Sequence, residues 1–172
     1  MKTAQIGSIS HGTLRTPDLL RVFAASFEGL CDGQTIPPIV AEARGTAKLI
    51  EECEERCSGQ GNTATNAEAL GEQEEIGQEV LTDLTDNYLS ECAPPYCYFG
   101  THDGDGSDFG FWFSPDAFED ACCDGEVLKV GDLSEIPTHL PRGVEYVAMV
   151  NDHGNVTLYT PRVEVSEVWA IV

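Results

Sequence analysis

Apolar residues in the first half of the chain recur every three or four positions, the period of a helix buried on one side. In "RTPDLLRVFAASFEGLCDG", Leu20, Phe23, Phe27 and Leu30 share one face. Thr16 is placed to cap this helix, Pro17 suits its first turn, and Asp18 favours the positive end of its dipole. Asp32-Gly33 stops it. A second helix is predicted over "PPIVAEARGTAKLIEECEERC", with Ile39, Ala43, Ala47, Ile50, Cys53 and Cys57 on its inner side. "SGQGNTATN", residues 58–66, reads as a polar loop. A third helix then starts at a Thr65 or Asn66 cap and runs towards Ser90, with Leu70, Gly77, Leu81, Leu84 and Tyr88 as its inner row. The paired prolines of "APPYCYFG" end the helical half.

In the second half the pattern changes to short runs rich in β-branched and aromatic residues. "YCYF", "DFGFWF", "EYVAMV", "NVTLYT" and "EVSEVWAIV" read as strands. "NDHGN" is a hairpin turn between two of them. "SPDAFEDACC" is expected to form a short helix capped by Ser114. Helices first and strands second, with short connections, predict an α+β fold: about three N-terminal helices, then an antiparallel β-sheet of about four to six strands. A single domain is expected over 1–172, mostly helical over 1–92 and mostly β over 93–172.

Charge changes this picture. The 172 residues carry 30 acids against nine Lys and Arg, a net charge of −21, and 41% are hydrophobic. That hydrophobic content supports a core, so acidity here does not mean disorder. The charge is also concentrated: residues 57–128 contain sixteen Asp and Glu and no Lys or Arg. Such a field repels DNA, RNA and anionic lipid and attracts basic partners or cations. Adaptation to high salt is an alternative source of the same composition. It is opposed by the seven Cys and by the unevenness of the charge.

On a helical wheel at about 100° per residue, Glu68, Glu72, Glu75, Glu79, Asp83 and Asp86 fall within a sector of roughly 80°. The apolar row lies opposite them. Glu74 falls off this stripe, towards the buried side. At 1.5 Å per residue the stripe is about 27 Å long, with one carboxylate every ~5 Å; a DNA strand advances about 3.4 Å per phosphate. Like charges at these spacings cost roughly 0.2–0.5 kcal/mol per pair in an isolated helix. A face that needed only solubility would relieve that cost with Lys. Left unrelieved, the stripe points to a use for its field.

"HDGDGSD", residues 102–108, is the most motif-like string. Asp103, Asp105 and Ser107 fit the first, third and fifth positions of an EF-hand loop. Asp108 stands where its Gly belongs, and Ser114 where its Glu belongs. A Gly-rich turn is therefore preferred, with Asp103, Asp105 and Asp108 extending the acidic surface; a divalent-metal-binding protein or metal-dependent enzyme centred on this loop is the alternative. Cys53, Cys57, Cys92 and Cys97 lack the tight C-x2-C spacing of a zinc knuckle, and Cys122-Cys123 has no evident partner. His11, His102, His139 and His153 read as turn or surface residues. No catalytic residue and no cofactor are assigned, since phosphate-loop, nucleophile-elbow and metalloprotease signatures are missing. With no apolar secretory segment and no apolar span of membrane length, a cytoplasmic protein with reduced thiols is expected.

Size, charge, a carboxylate-striped helix and the lack of a catalytic motif together resemble the small acidic inhibitors of phages and plasmids. These include nucleic-acid-mimicking antirestriction and anti-CRISPR proteins. The resemblance is of profile and carries no residue roles. It implies a non-enzymatic protein whose partner is a basic nucleic-acid-binding host protein, such as a CRISPR effector or restriction nuclease. Direct binding to nucleic acid or membrane is not expected, and pairing into a homodimer would double the stripe.

Overall fold

The structure is a computed structural model that describes residues 1–59, 63–161 and 166–171. Its fold is mixed α and β, with helices leading and most strands following. The chain divides into two compact units. The first comprises residues 1–93 and 98–112, the second 94–97 and 113–172.

In the first unit, β1 (Gly7–Ser10) leads into α1 (Thr16–Leu30) and α2 (Pro38–Gly59). α1 buries Leu19, Leu20, Phe23, Ala24 and Phe27, the expected face, and Asp32 and Gly33 follow it with positive φ. Thr16 does not cap this helix. It is the first helical residue, is buried, and its hydroxyl donates to Glu74 (2.7 Å) and accepts from Gln78 (2.9 Å). Packing against the third helix has taken the hydroxyl away from local capping. α2 buries Ile39, Ala43, Ala47, Ile50 and Cys53 as predicted, with Cys57 at the margin.

α3 (Ala64–Asp83) is capped by Thr63, whose side chain accepts from the Asn66 amide at 3.2 Å, slightly ahead of the expected position. Residues 60–62 of the predicted loop lie outside the described residues. Gly77, Val80 and Leu84 are buried, while Leu70, Leu81 and Tyr88 pack half-buried against the core. A Cβ on Gly77 would lie 2.8 Å from both Ile50 Cδ1 and Thr16 Cγ2, so any larger residue would have to push these side chains aside. Beyond Asp83 the helix continues as a π-turn over Leu84–Leu89, closed by the Ser90 amide donating to the Thr85 carbonyl, and then as a 3-10 turn to Cys92.

β2 (Cys97–His102) and β3 (Asp105–Phe113) complete a three-stranded sheet in the order β1-β3-β2, with β1 antiparallel to β3. A Cβ on Gly110 would meet the Gly7 carbonyl at 2.2 Å, so these strands also pack through a glycine. Phe23 meets Phe99 and Phe109 edge-on at 5.0 and 5.4 Å, and Phe27 meets Tyr88 at 5.1 Å. β1 is an addition to the predicted strands. It is four residues long, too short for alternation to stand out.

The second unit holds α4 (Pro115–Asp124) and a sheet ordered β4 (Val127–Val130), β5 (Tyr146–Val150), β6 (Val156–Thr160), β7 (Ser166–Ala170). Ser114 caps α4 as expected, accepting from the Ala117 amide, and Gly125 ends it at φ 79. The Asn151–Asn155 segment is the predicted hairpin turn: Asn151 Oδ1 accepts from the His153 and Asn155 amides. Residues 164, 165 and 172 of the predicted last strand lie outside the described residues.

The expected single antiparallel sheet is corrected to two sheets. In the second, β4 pairs parallel with β5, Val127 opposite Tyr146. Parallel neighbours need a long crossover, and residues 131–145 supply it. Pro94–Cys97 belongs to this unit. Tyr96, at φ 60, sets its ring against Phe118 and Tyr146, and the Pro95 carbonyl accepts from the Trp169 indole at 3.2 Å. Burial pushes the Tyr96 phenol up to about 12.

Two glycines of α3 separate packing from propensity. A Cβ added at Gly71 would meet nothing within 4 Å, whereas one added at Gly77 would meet two atoms at 2.8 Å. Gly71→Ala is expected to stabilise the chain by up to ~1 kcal/mol. Gly77→Ala gains the same propensity but overpacks a closed contact at a cost of about 1–3 kcal/mol, so a net loss is expected. Urea denaturation of both variants checks the opposite signs.

Candidate functional site

The stripe forms on α3 because the other side of that helix is held inside. Gly77 seats the backbone against α1 and α2, and Thr16, Glu74 and Gln78 form a hydrogen-bonded chain beside it. Glu74 thus points to the docked side, as its position off the stripe predicts. Glu68, Glu72, Glu75, Glu79 and Asp86 are exposed along the outer side, and Asp83 is half-buried. Glu75, Glu79, Asp83 and Asp86 line one shallow, open groove with Gln78, Thr82 and Asn87. Glu68 and Glu72 lie beyond it, towards the start of the helix. The Asn87 amide donates to Asp83 Oδ1 at 2.6 Å.

The cations of this unit are engaged elsewhere. Arg21 pairs with Glu51, Arg44 with Glu28, and Arg15 with both Asp18 (3.1 Å) and Glu54 (2.7 Å). Lys2 pairs with Asp32 and Lys48 with Glu52. Among the described residues, no stripe carboxylate has a cationic partner. Arg21 lowers the Glu51 carboxyl, chiefly through their hydrogen bond. The Arg21–Glu51 and Arg44–Glu28 pairs tie α1 to α2, and the pairs together leave α3 uncompensated.

Asp103, Asp105 and Asp108 sit on the β2–β3 turn and the start of β3. Asp105 Oδ1 accepts from both the amide (2.9 Å) and the hydroxyl (2.7 Å) of Ser107, which closes a local turn. Asp103 accepts from the Tyr98 hydroxyl at 3.3 Å. His11, just after β1, lies 3.8 Å from Asp105 and 4.0 Å from Asp108. Asp108 Oδ1 is buried without a hydrogen-bond partner. No hydrogen bond or ion pair joins these three carboxylates to α3 among the described residues. Among those residues, too, no three His, Cys, Asp or Glu side chains are gathered in a way that could hold a metal ion.

No family model, curated protein or solved structure matches this chain. All seven cysteines are free thiols. Burial pushes Cys97 up to about 12 and raises Cys92 and Cys122, which favours the protonated thiol over the thiolate. Cys53 accepts a hydrogen bond from Arg56. Among the described residues, no helix is long and apolar enough to cross a membrane.

The approach of His11 to the β3 carboxylates has no signal in the sequence, because it depends on the pairing of β1. Gln78 and Asn87 are likewise silent there, although their amides bond to groups on and beside the stripe.

The Ser107 bonds, the amide first, hold the Asp105 carboxyl below its usual range, with weaker help from His11 and His102. A depressed carboxyl stabilises the fold above the ordinary Asp value of about 3.9, and that contribution is lost as pH falls through the lower folded value. In an NMR titration, Asp105 is expected to have a midpoint below that value. Ser107→Ala should move it upward part of the way, since the amide bond remains.

Proposed function

We propose that this is a non-enzymatic acidic binding protein. It presents the carboxylate row of α3 to the basic nucleic-acid-binding surface of a host defence protein, a CRISPR effector or restriction nuclease. Glu68, Glu72, Glu75, Glu79, Asp83 and Asp86 make the main contact, and Asp103, Asp105 and Asp108 extend the acidic surface. The observation that carries this reading is the uncompensated stripe: among the described residues, no ion pair includes any of its six carboxylates. A face that needed only to stay wet would share those cations.

The mechanism is occupancy. A row of anions along a rigid helix attracts Lys and Arg that otherwise grip phosphates, and its field speeds encounter. The groove at Glu75, Glu79, Asp83 and Asp86 adds neutral acceptors and donors from Gln78, Thr82 and Asn87, suited to the several N–H groups of a guanidinium. The Asp-rich turn supports a metal reading less well, because Asp105 is already engaged by Ser107.

The test is capture from host lysate on immobilised protein. The triple variant Glu72→Lys, Glu75→Lys, Glu79→Lys is compared with Asp120→Lys, Asp124→Lys, Asp152→Lys. Both sets change net charge equally, and the second uses exposed acids of the second unit. A nucleic-acid-binding partner should be retained by wild type and by the second set, released by competing duplex DNA, and bound at least about a hundredfold more weakly by the first, as expected for reversed interfacial charges. Equal retention by both sets, or a partner that DNA does not displace, would sink the proposal.

A further inference from the structure

The α2–α3 pair has two flanks, and α1 covers one of them. α2 ends at Gly59 and α3 begins at Ala64, so the two helices run antiparallel. They meet at Ile50 and Gly77. One step after each of these, Glu51 and Gln78 turn about 100° to the same flank. α1 lies there: Arg21 pairs with Glu51, and Gln78 donates to the Thr16 hydroxyl at 2.9 Å. One step before each, Leu49 and Ile76 turn by about the same angle to the opposite flank. They remain 48% and 42% exposed. Among the described residues, the main packing partners of α2 and α3 are each other, α1 and the π-turn that continues α3.

The stripe borders this open flank. Glu72 and Glu79, four residues before Ile76 and three after it, are its neighbours along α3, and Asp83 follows at the next turn. On α2, Arg56 is turned onto Cys53, 2.8 Å from its sulfur. The flank therefore combines an apolar pair with an anionic rim on its α3 side.

We infer that this flank takes a cationic amphipathic helix of the target protein, with apolar side chains seated on Leu49 and Ile76 and Lys or Arg on Glu72, Glu79 and Asp83. α1 shows the same mode on the other flank: its Leu20 lies against the Gly77 contact, while its Arg21 takes an acid on the rim. Charge selects the occupant. A second copy, at −21, would bring acids to an acidic rim, and nucleic acid or anionic lipid meets the same repulsion. The rim from Glu72 to Asp83 is about 16 Å long, three turns of an incoming helix. This contact rests on the role proposed for α3, and it narrows the target to one with an apolar ridge beside the cations that grip phosphates. Binding then keeps part of its strength at salt that strips a purely electrostatic mimic.

Two synthetic helical peptides test it, by fluorescence anisotropy against the full chain. They share one length and one row of Lys; the first carries Leu along the adjoining side, the second Ala. At about 0.05 M NaCl both should bind wild type, and both should weaken at least about tenfold on Glu72→Lys, Glu75→Lys, Glu79→Lys. The Leu peptide should bind about tenfold tighter than the Ala peptide, an advantage that persists at about 0.5 M NaCl. Leu49→Gln with Ile76→Gln, both at exposed positions, should bring the Leu peptide down to the affinity of the Ala peptide with unchanged circular dichroism. Methyl NMR on wild type covers a pair variant that misfolds: the Leu49 and Ile76 resonances should shift further with the Leu peptide. Equal affinity of wild type for the two peptides, an advantage that the Gln pair leaves intact, or methyls that respond alike to both each overturns this inference and leaves the reading of α3 standing. Binding that the triple Lys variant does not weaken overturns both together.

Discussion

The close approach of α3 at Gly77 orders the rest of the first unit. Ile50 and Thr16 reach within 2.8 Å of where a Cβ would be, so the helix backbone itself comes close to them. Beside it, the Thr16 hydroxyl ties Glu74 and Gln78 together. Rotating α3 about its axis would break both the packing and the polar chain. With the inner side held, a period of 3.6 residues sends Glu68, Glu72, Glu75 and Glu79 outward. The direction of the acidic row is thus a consequence of a glycine contact on the opposite side of the helix.

That contact also determines where repulsion can be tolerated. An isolated helix with unrelieved acids at every turn would be marginal. Docking supplies the stability that local interactions lack. Meanwhile the arginines of α1 and α2 clasp acids across their own interface, Arg21 to Glu51 and Arg44 to Glu28. Exposed pairs of this kind are each worth about 0–1 kcal/mol, too little to account for the fold. Their larger effect is on the field, because they neutralise α1 and α2 locally and leave α3 as the bare anionic face. Distribution of charge, more than its total, distinguishes this surface from general acidity.

Helices were legible in the sequence because their periodicity is long and their buried residues are large: Phe23, Phe27 and Ile50 declare their faces without help. Ser114 and the Asn151 turn were legible because their hydrogen bonds are local. What escaped depended on distant partners. β1 and β4 are four residues each, and they are strands because β3 and β5 pair with them. Thr16 has the sequence context of a cap, but α3, nearly sixty residues away along the chain, claims its hydroxyl. The members of the stripe could be read from the wheel, but the missing counter-charges could not, since ion pairing is set by tertiary contact.

The π-turn shows how the core reaches into the site. Leu84 and Leu89 are both fully buried. Five residues of α-helix would set them roughly 140° apart, at the two margins of a wide buried face. Bonding from residue i to i+5 returns the second towards the same side and satisfies both. Asp86 lies inside that turn and is carried with it. Glu68 to Asp83 therefore form a regular α-helical row, while the sixth carboxylate is placed by the demand of two leucines for the core. It still lines the groove with Glu75, Glu79 and Asp83, but in a phase that the wheel does not describe. A cationic partner fitted only to an ideal helix would match the first five charges and miss the last.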